Sequence, residues 1–316
     1  MAEKRRKAKS SAQTKPRIRK ATKRQAKTKA KKDAHSYTDV PGSFKLTGQV
    51  FKTFKNYWKP LLGIVIVYLL LNIIFASGLS NLSSAVSDIK ANLDNSSGST
   101  HPLARGISGF GVLVGSAGAS GSSAASVLQT ALFILESLVI IWALRQLLAG
   151  KKIGVKEAYY NATYPLIPFL LVLVVIILQL LPITFGAAIL SAVLTSVVSS
   201  LGLATWLSWA FFAVLAGWSL YMISSSIFAV YIVTLPNMQP RDALRSAKKL
   251  VKYRRLQVIP KVLYLPVFVL VAMGIIIVPL IIFASFLVVP VFYFLSMLTI
   301  LFIHTYLYSL YRSLLG

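Results

Sequence analysis

From Pro165 to Leu235 the chain carries no Lys, Arg, Asp or Glu, and a second such stretch runs from Val262 to Tyr311. They hold 71 and 50 residues. A helix crosses the ~30 Å hydrocarbon core with ~20 apolar residues at ~1.5 Å each, so both stretches are long enough to span a membrane more than once. Only 13% of the chain is charged and 56% is hydrophobic, with a mean hydropathy of +0.71. Globular domains carry about 25% charge. The fold class expected is an all-α, polytopic membrane protein.

The sequence has no cysteine, which excludes disulfides, thiolate catalysis and Cys-based metal sites. A cleaved signal peptide is not expected, because the basic region before the first apolar run is about sixty residues long.

Composition divides the chain into a Lys/Arg-rich tail, residues 1–42, read as disordered and cytoplasmic, and a helical membrane domain, residues 43–316. Spans are expected at about 60–79, 126–148, 165–183, 204–235, 262–283 and 287–311. Between the first two lies a region, 80–125, rich in Ser, Gly, Ala and Asn, whose stretch "SGFGVLVGSAGASG" is read as a flexible loop. The weakly polar segment 184–203 is read as an outer segment, either re-entrant or an interfacial helix; a re-entrant segment would allow seven spans.

Orientation follows from the basic residues. They concentrate in three clusters: the N-terminal region, Arg145 to Lys156, and Arg241 to Lys261. Lys and Arg flanking spans stay on the cytoplasmic side. Keeping all three clusters inside requires an even number of crossings between each pair. The count is then six helices in three hairpins, with both ends cytoplasmic. Four spans between 165 and 235 would need roughly 80 residues before any turns, so two fit.

A unit recurs three times: a basic amphipathic segment, a proline, then an apolar hairpin. In "SFKLTGQVFKTFKNYWKP" the apolar Leu46, Val50, Phe51, Phe54, Tyr57 and Trp58 recur every three or four residues. That pattern suits a helix lying at the membrane surface. In "RDALRSAKKLVKYRRLQVIPK" an apolar stripe of Ala243, Leu244, Ala247, Leu250 and Val251 is surrounded by cations. Pro240 suits the first helical turn, with Asp242 near the positive dipole end. The threefold recurrence raises internal duplication as one explanation; positive-inside hairpins are the other.

This third unit, "LPNMQPRDALRSAKKLVKYRRLQVIPKVL", and the earlier "WALRQLLAGKKIGVKEAYYNA" carry a resemblance. They resemble the cytoplasmic segments of uncharacterised bacterial six-span membrane proteins akin to the membrane domain of some glycerophosphodiester phosphodiesterases. The resemblance covers residues 43–316. It implies a six-helix fold in a bacterial cytoplasmic membrane. The phosphodiesterase catalytic domain has no counterpart, so no hydrolase activity is implied.

Chemistry-bearing residues are sparse. His35, His101 and His304 are far apart in sequence. No catalytic residue, metal ligand set or cofactor site is expected, and the glycines of "SGFGVLVGSAGASG" open no strand–helix unit that would cradle a phosphate. Glu136 stands out, mid-span in "LFILESLVIIW". A charge there costs at least ~2.5 kcal/mol. At ~1.5 Å per residue, Asn72, Glu136 and Gln179 lie roughly 18, 19 and 21 Å from the cytoplasmic side. They form a candidate intramembrane polar layer. The layer reads either as a proton- or solute-coupled site, or as a neutral carboxyl hydrogen-bonded to an amide that ties helices together. His304 reads as a packed residue, and Trp206, Trp209 and Trp218 as packing and interface markers.

Candidate contacts for anionic lipid headgroups fall in the basic segments. They are Lys52, Lys55 and Lys59 in the first, Lys151 and Lys152 in the second, and Arg245, Lys248, Lys249, Lys252, Arg254 and Arg255 in the third. The tail holds fifteen Lys or Arg between residues 4 and 32. It suits anionic lipid, or nonspecific nucleic acid or ribosome, through counterion release. It has no aromatic residue before Tyr37, so it cannot stack on bases.

The reading that follows is a non-enzymatic membrane protein acting in membrane or envelope organisation, or as a scaffold. The alternatives are a transporter using the layer around Glu136, and a tether for nucleic acid or ribosomes.

Overall fold

A computed structural model describes residues 40–75, 102–116, 123–197 and 201–315. The basic tail, His35, His101 and the span ends beyond Phe75 lie outside the described residues. All regular structure among the described residues is helical: α1 (Ser43–Phe75), α2 (Pro102–Ser116), α3 (Ser123–Leu148), α4 (Val155–Ala162), α5 (Leu166–Val197), α6 (Leu201–Ser226), α7 (Ala229–Ile232), α8 (Pro240–Val251), α9 (Arg255–Phe283) and α10 (Ser285–Leu315). Six of them, α1, α3, α5, α6, α9 and α10, are long and apolar enough to cross a membrane. The chain is an all-α polytopic membrane protein.

Six crossings fix the sides. The start of α1, the α3–α4 turn, α8 and the end of α10 are separated by two spans each, so they share one end of the bundle. We call this end the basic face, since it carries Lys45 to Lys59, Lys151 to Lys156, Arg241 to Arg255 and Arg312.

The first basic segment is helical, as expected. It is the first half of α1 and meets the span across a break at Tyr57 (φ −124°, ψ 30°), where two helices join. The cause is Pro60: its ring crowds the carbonyl one turn back and it has no N–H to donate. Leu46, Val50 and Thr53, spaced four and three apart, are buried in this half. Its aromatic residues turn partly inward. Phe51 and Phe54 pack against Phe302 of α10, and Phe44 meets Tyr264 of α9 edge-on.

A segment away from the basic face departs from expectation. Residues Pro102–Ser116 of the Gly-rich region form a helix, α2, that packs on α9. Gly106 explains the fit: a Cβ there would stand 2.7 Å from Val278 Cγ1. Small residues let helices approach closely in membranes, where contact rather than water exclusion drives association. From 184 as far as Val197 the weakly polar segment is helical: α5 continues through it past Pro182 and packs along α6.

Turn chemistry shapes the α3–α4 connection. Gly150 adopts φ +80°, the Gly150 N–H donates to the Leu147 carbonyl and the Lys151 N–H to the Gln146 carbonyl. This is the six-to-one, five-to-two pattern in which glycine ends a helix, since the left-handed conformation costs it nothing. The chain turns back at once, and α4 lies against α3.

Candidate functional site: a buried carboxyl beneath a basic-face cleft

Glu136 sits on α3 and is 1% exposed. The partner that reaches it comes from α4, a short helix outside the spans. The Tyr159 hydroxyl lies 2.7 Å from Glu136 Oε2 and 3.1 Å from the Ile64 carbonyl oxygen of α1. Small residues allow the approach. Ala158 and Ala162 bury one face of α4, and at Gly63 of α1 a Cβ would stand 2.7 Å from Val155 Cγ2. Three helices, α1, α3 and α4, thus converge on one phenol.

Further polar groups extend the cluster along α1. Tyr68 interacts electrostatically with Glu136, and Tyr293 of α10 with Tyr68. Asn72 follows Tyr68 by one turn and is fully buried. The two side chains are near enough to interact, yet neither amide atom of Asn72 has a partner in hydrogen-bond geometry. Glu136 Oε1 is likewise buried without a partner.

Of the expected layer, then, Asn72 and Glu136 lie on packed helices, linked through Tyr68 rather than by a direct bond. Gln179 belongs elsewhere. Its backbone carbonyl accepts from the Ser219 hydroxyl of α6 at 3.1 Å, and its side-chain oxygen has no hydrogen-bond partner. Sequence reasoning did not find Tyr159 or Tyr68. Tyr159 stood in a polar surface segment, and only the tight turn at Gly150 brings it back over α3.

Tyr159 also lines a cleft of about 1490 Å³ on the basic face. The walls are the end of α3, α4, the start of α5 and residues 233–240; Trp142, Arg145, Asn161, Tyr164 and Asn237 contribute. None of the described residues that line it is a carboxylate. Burial first, and then the neighbouring Glu136 carboxyl, hold the Tyr159 phenol well above the ordinary tyrosine range, so it stays un-ionised.

One wall is a break in the helical order. After α6 the chain passes through the single turn α7 and an irregular segment to Pro240, with Asn237 at φ 58°. Irregular backbone at the membrane is tolerated where protein or a cavity satisfies it. Arg145 does so here. Its guanidinium donates to the Thr234 carbonyl at 2.6 Å, to the Tyr231 carbonyl at 3.1 Å and to the Thr234 hydroxyl. A cation on the carbonyl end of a helical turn also suits the dipole. Beside it His304 Nδ1 is 3.2 Å from the Tyr231 hydroxyl, and Tyr308 and Tyr311 pack on the Tyr231 ring, so His304 is a packed residue.

The basic residues divide. Lys52, Lys55, Lys59, Lys151, Lys152, Arg245, Lys248, Lys249 and Lys252 are exposed, whereas Arg254 is buried and Arg255 lies 4.2 Å from the centre of the Tyr221 ring. Trp206, Trp209 and Trp218 are exposed along α6. Among the described residues no group of three or more His, Asp or Glu could hold a metal ion.

Fold and site define a polytopic helical membrane protein with a carboxyl in its core. Compared with protein-family models, curated proteins and solved structures, the chain matches none.

Proposed function

We propose that this chain is a non-enzymatic transporter of the bacterial cytoplasmic membrane, with both ends in the cytoplasm. The bacterial placement rests on the resemblance of residues 43–316, and the orientation on the positive-inside rule. The transport reading rests on one observation: Tyr159 stands both in the wall of the cleft and against the Glu136 carboxyl. An ionisable group within a span is expensive, and where it adjoins a cavity it marks a solute or ion path. A purely structural carboxyl would be closed off by amides, yet Glu136 Oε1 and the Asn72 amide stay unpartnered. The test is uptake from a metabolite mixture into proteoliposomes. Transport by the wild type that is lost in Glu136→Gln, with thermal unfolding unchanged, supports the reading. Equal solute profiles in protein-containing and empty vesicles overturn it.

A second reading, membrane organisation or scaffolding at the inner leaflet, is supported by the exposed cations beside exposed aromatic residues. Phe44, Phe51 and Trp58 recur every seven residues along the first half of α1, among Lys45, Lys52, Lys55 and Lys59. Aromatic rings settle at headgroup level, and each nearby cation is worth about 1 kcal/mol on an anionic leaflet. This reading expects Lys52, Lys55 and Lys59→Gln to abolish any stabilisation by phosphatidylglycerol over phosphatidylcholine nanodiscs; no lipid preference in the wild type removes it. Tethering of nucleic acid or ribosomes would belong to residues 4–32. A salt-sensitive RNA pull-down that survives deletion of residues 1–33 ends that possibility.

A further inference from the structure

The Tyr159 hydroxyl has one proton and two oxygen neighbours, Glu136 Oε2 and the Ile64 carbonyl. A phenol donates a single hydrogen bond, and a carbonyl can only accept. If the phenol donates to an ionised Glu136, the Ile64 carbonyl faces a lone pair. If it donates to Ile64, the second contact requires a proton on Glu136 Oε2, donated to Tyr159 Oη. Only this arrangement gives each contact a proton of its own. It also leaves no net charge in a span, where a bare carboxylate costs at least ~2.5 kcal/mol.

The surroundings agree. No Lys, Arg or His among the described residues pairs with Glu136. The elements packed on α3 present to this cluster the phenols of Tyr68 from α1, Tyr159 from α4 and Tyr293 from α10. The span of α5 carries no ionisable residue. Lys156 and Glu157 of α4 are exposed, and His304 of α10 is engaged with Tyr231.

We propose that Glu136 is a proton-binding site, loaded and emptied through the Tyr159 hydroxyl from the basic-face cleft. On release the phenol turns its own proton from the Ile64 carbonyl to a water in the cleft and gives it up as the proton on Glu136 Oε2 passes to Tyr159 Oη. The phenol stays neutral, a carboxylate is left behind, and loading runs the same steps backwards. Since Tyr159 resists ionisation, it relays protons without storing a negative charge. The use of such a proton rests on the transport reading; its presence does not.

The test is infrared difference spectroscopy of the full-length protein in lipid nanodiscs. The wild type should show the carbonyl stretch of a protonated carboxyl near neutral pH, absent in Glu136→Gln and retained in Tyr159→Phe. In Tyr159→Phe the deuterium exchange of that band should slow at least ~10-fold, the effect of about 1.36 kcal/mol in a barrier. No protonated band in the wild type, the same band in Glu136→Gln, or wild-type exchange in Tyr159→Phe each overturns the proposal. Should Glu136→Gln fail to fold, the exchange comparison between wild type and Tyr159→Phe still decides. A band without solute uptake would leave the proton site standing and remove transport; uptake without the band would do the reverse.

Discussion

The Arg145 guanidinium holds the Thr234 carbonyl at 2.6 Å across 89 residues of sequence, pinning the break between α6 and α8 to the end of α3. Arg145 brings a planar fork of donors to two carbonyls and a hydroxyl, which a lysine cannot copy. Arg145→Gln should therefore lower stability by about 1.5–3 kcal/mol, the range for hydrogen bonds to a charged group. Arg145→Lys should fall between. Thermal unfolding of the three proteins in one detergent checks the order; equal midpoints would show that the clamp carries no stability.

Helix α2 offers a pair of opposite expectations. At Gly106 a Cβ would stand 2.7 Å from Val278 and 3.3 Å from Ile282, whereas at Gly111 nothing lies within 4 Å. Gly106→Ala should destabilise by about 1–3 kcal/mol through overpacking. Gly111→Ala should stabilise by up to about 1 kcal/mol through helix propensity. Unfolding midpoints moving in opposite directions would support the α2–α9 contact.

Tyr159 should show a late alkaline titration. Its pKa is raised, so the neutral phenol's contribution to stability is complete below the unfolded value near ~10 and is lost as pH rises past it. Phenolate absorbance up to pH ~11 should be the same in the wild type and in Tyr159→Phe. A loss of one tyrosine's worth in Tyr159→Phe would contradict the buried contact.

Topology can be read with thiol probes, because the chain has no cysteine of its own. Lys152→Cys and Lys249→Cys should be labelled only from the cytoplasmic side. Ile107→Cys, exposed on α2, should be labelled only from the other. Labelling of both lysine positions from outside would invert the orientation; labelling from opposite sides would break the six-span count.

The spans were legible because charge-free stretches can hide from water only in lipid or in a large core, and parity followed from the basic clusters. Glu136 was legible as a lone carboxylate in an apolar run. Its partner was not: Tyr159 lies 23 residues on, in a polar segment whose return depends on one left-handed glycine. Asn72 and Gln179 matched Glu136 in depth, but depth says nothing about which way a side chain faces. Helix α2 was hidden because small residues read as loop in sequence, although in a membrane they mark close packing. The helix expected before Pro60 formed with its apolar stripe divided: Leu46 and Val50 are buried in protein, while Phe51 and Trp58 stay exposed.

A double-mutant cycle measures the Glu136–Tyr159 contact most directly. Unfolding free energies of wild type, Glu136→Leu, whose side chain cannot hydrogen-bond, Tyr159→Phe and the double variant should reveal a coupling of about 0.5–3 kcal/mol, as expected of residues sharing one hydrogen bond. Single-variant effects that add to within about 0.5 kcal/mol would mean that the phenol and the carboxyl do not meet, and the site would not exist.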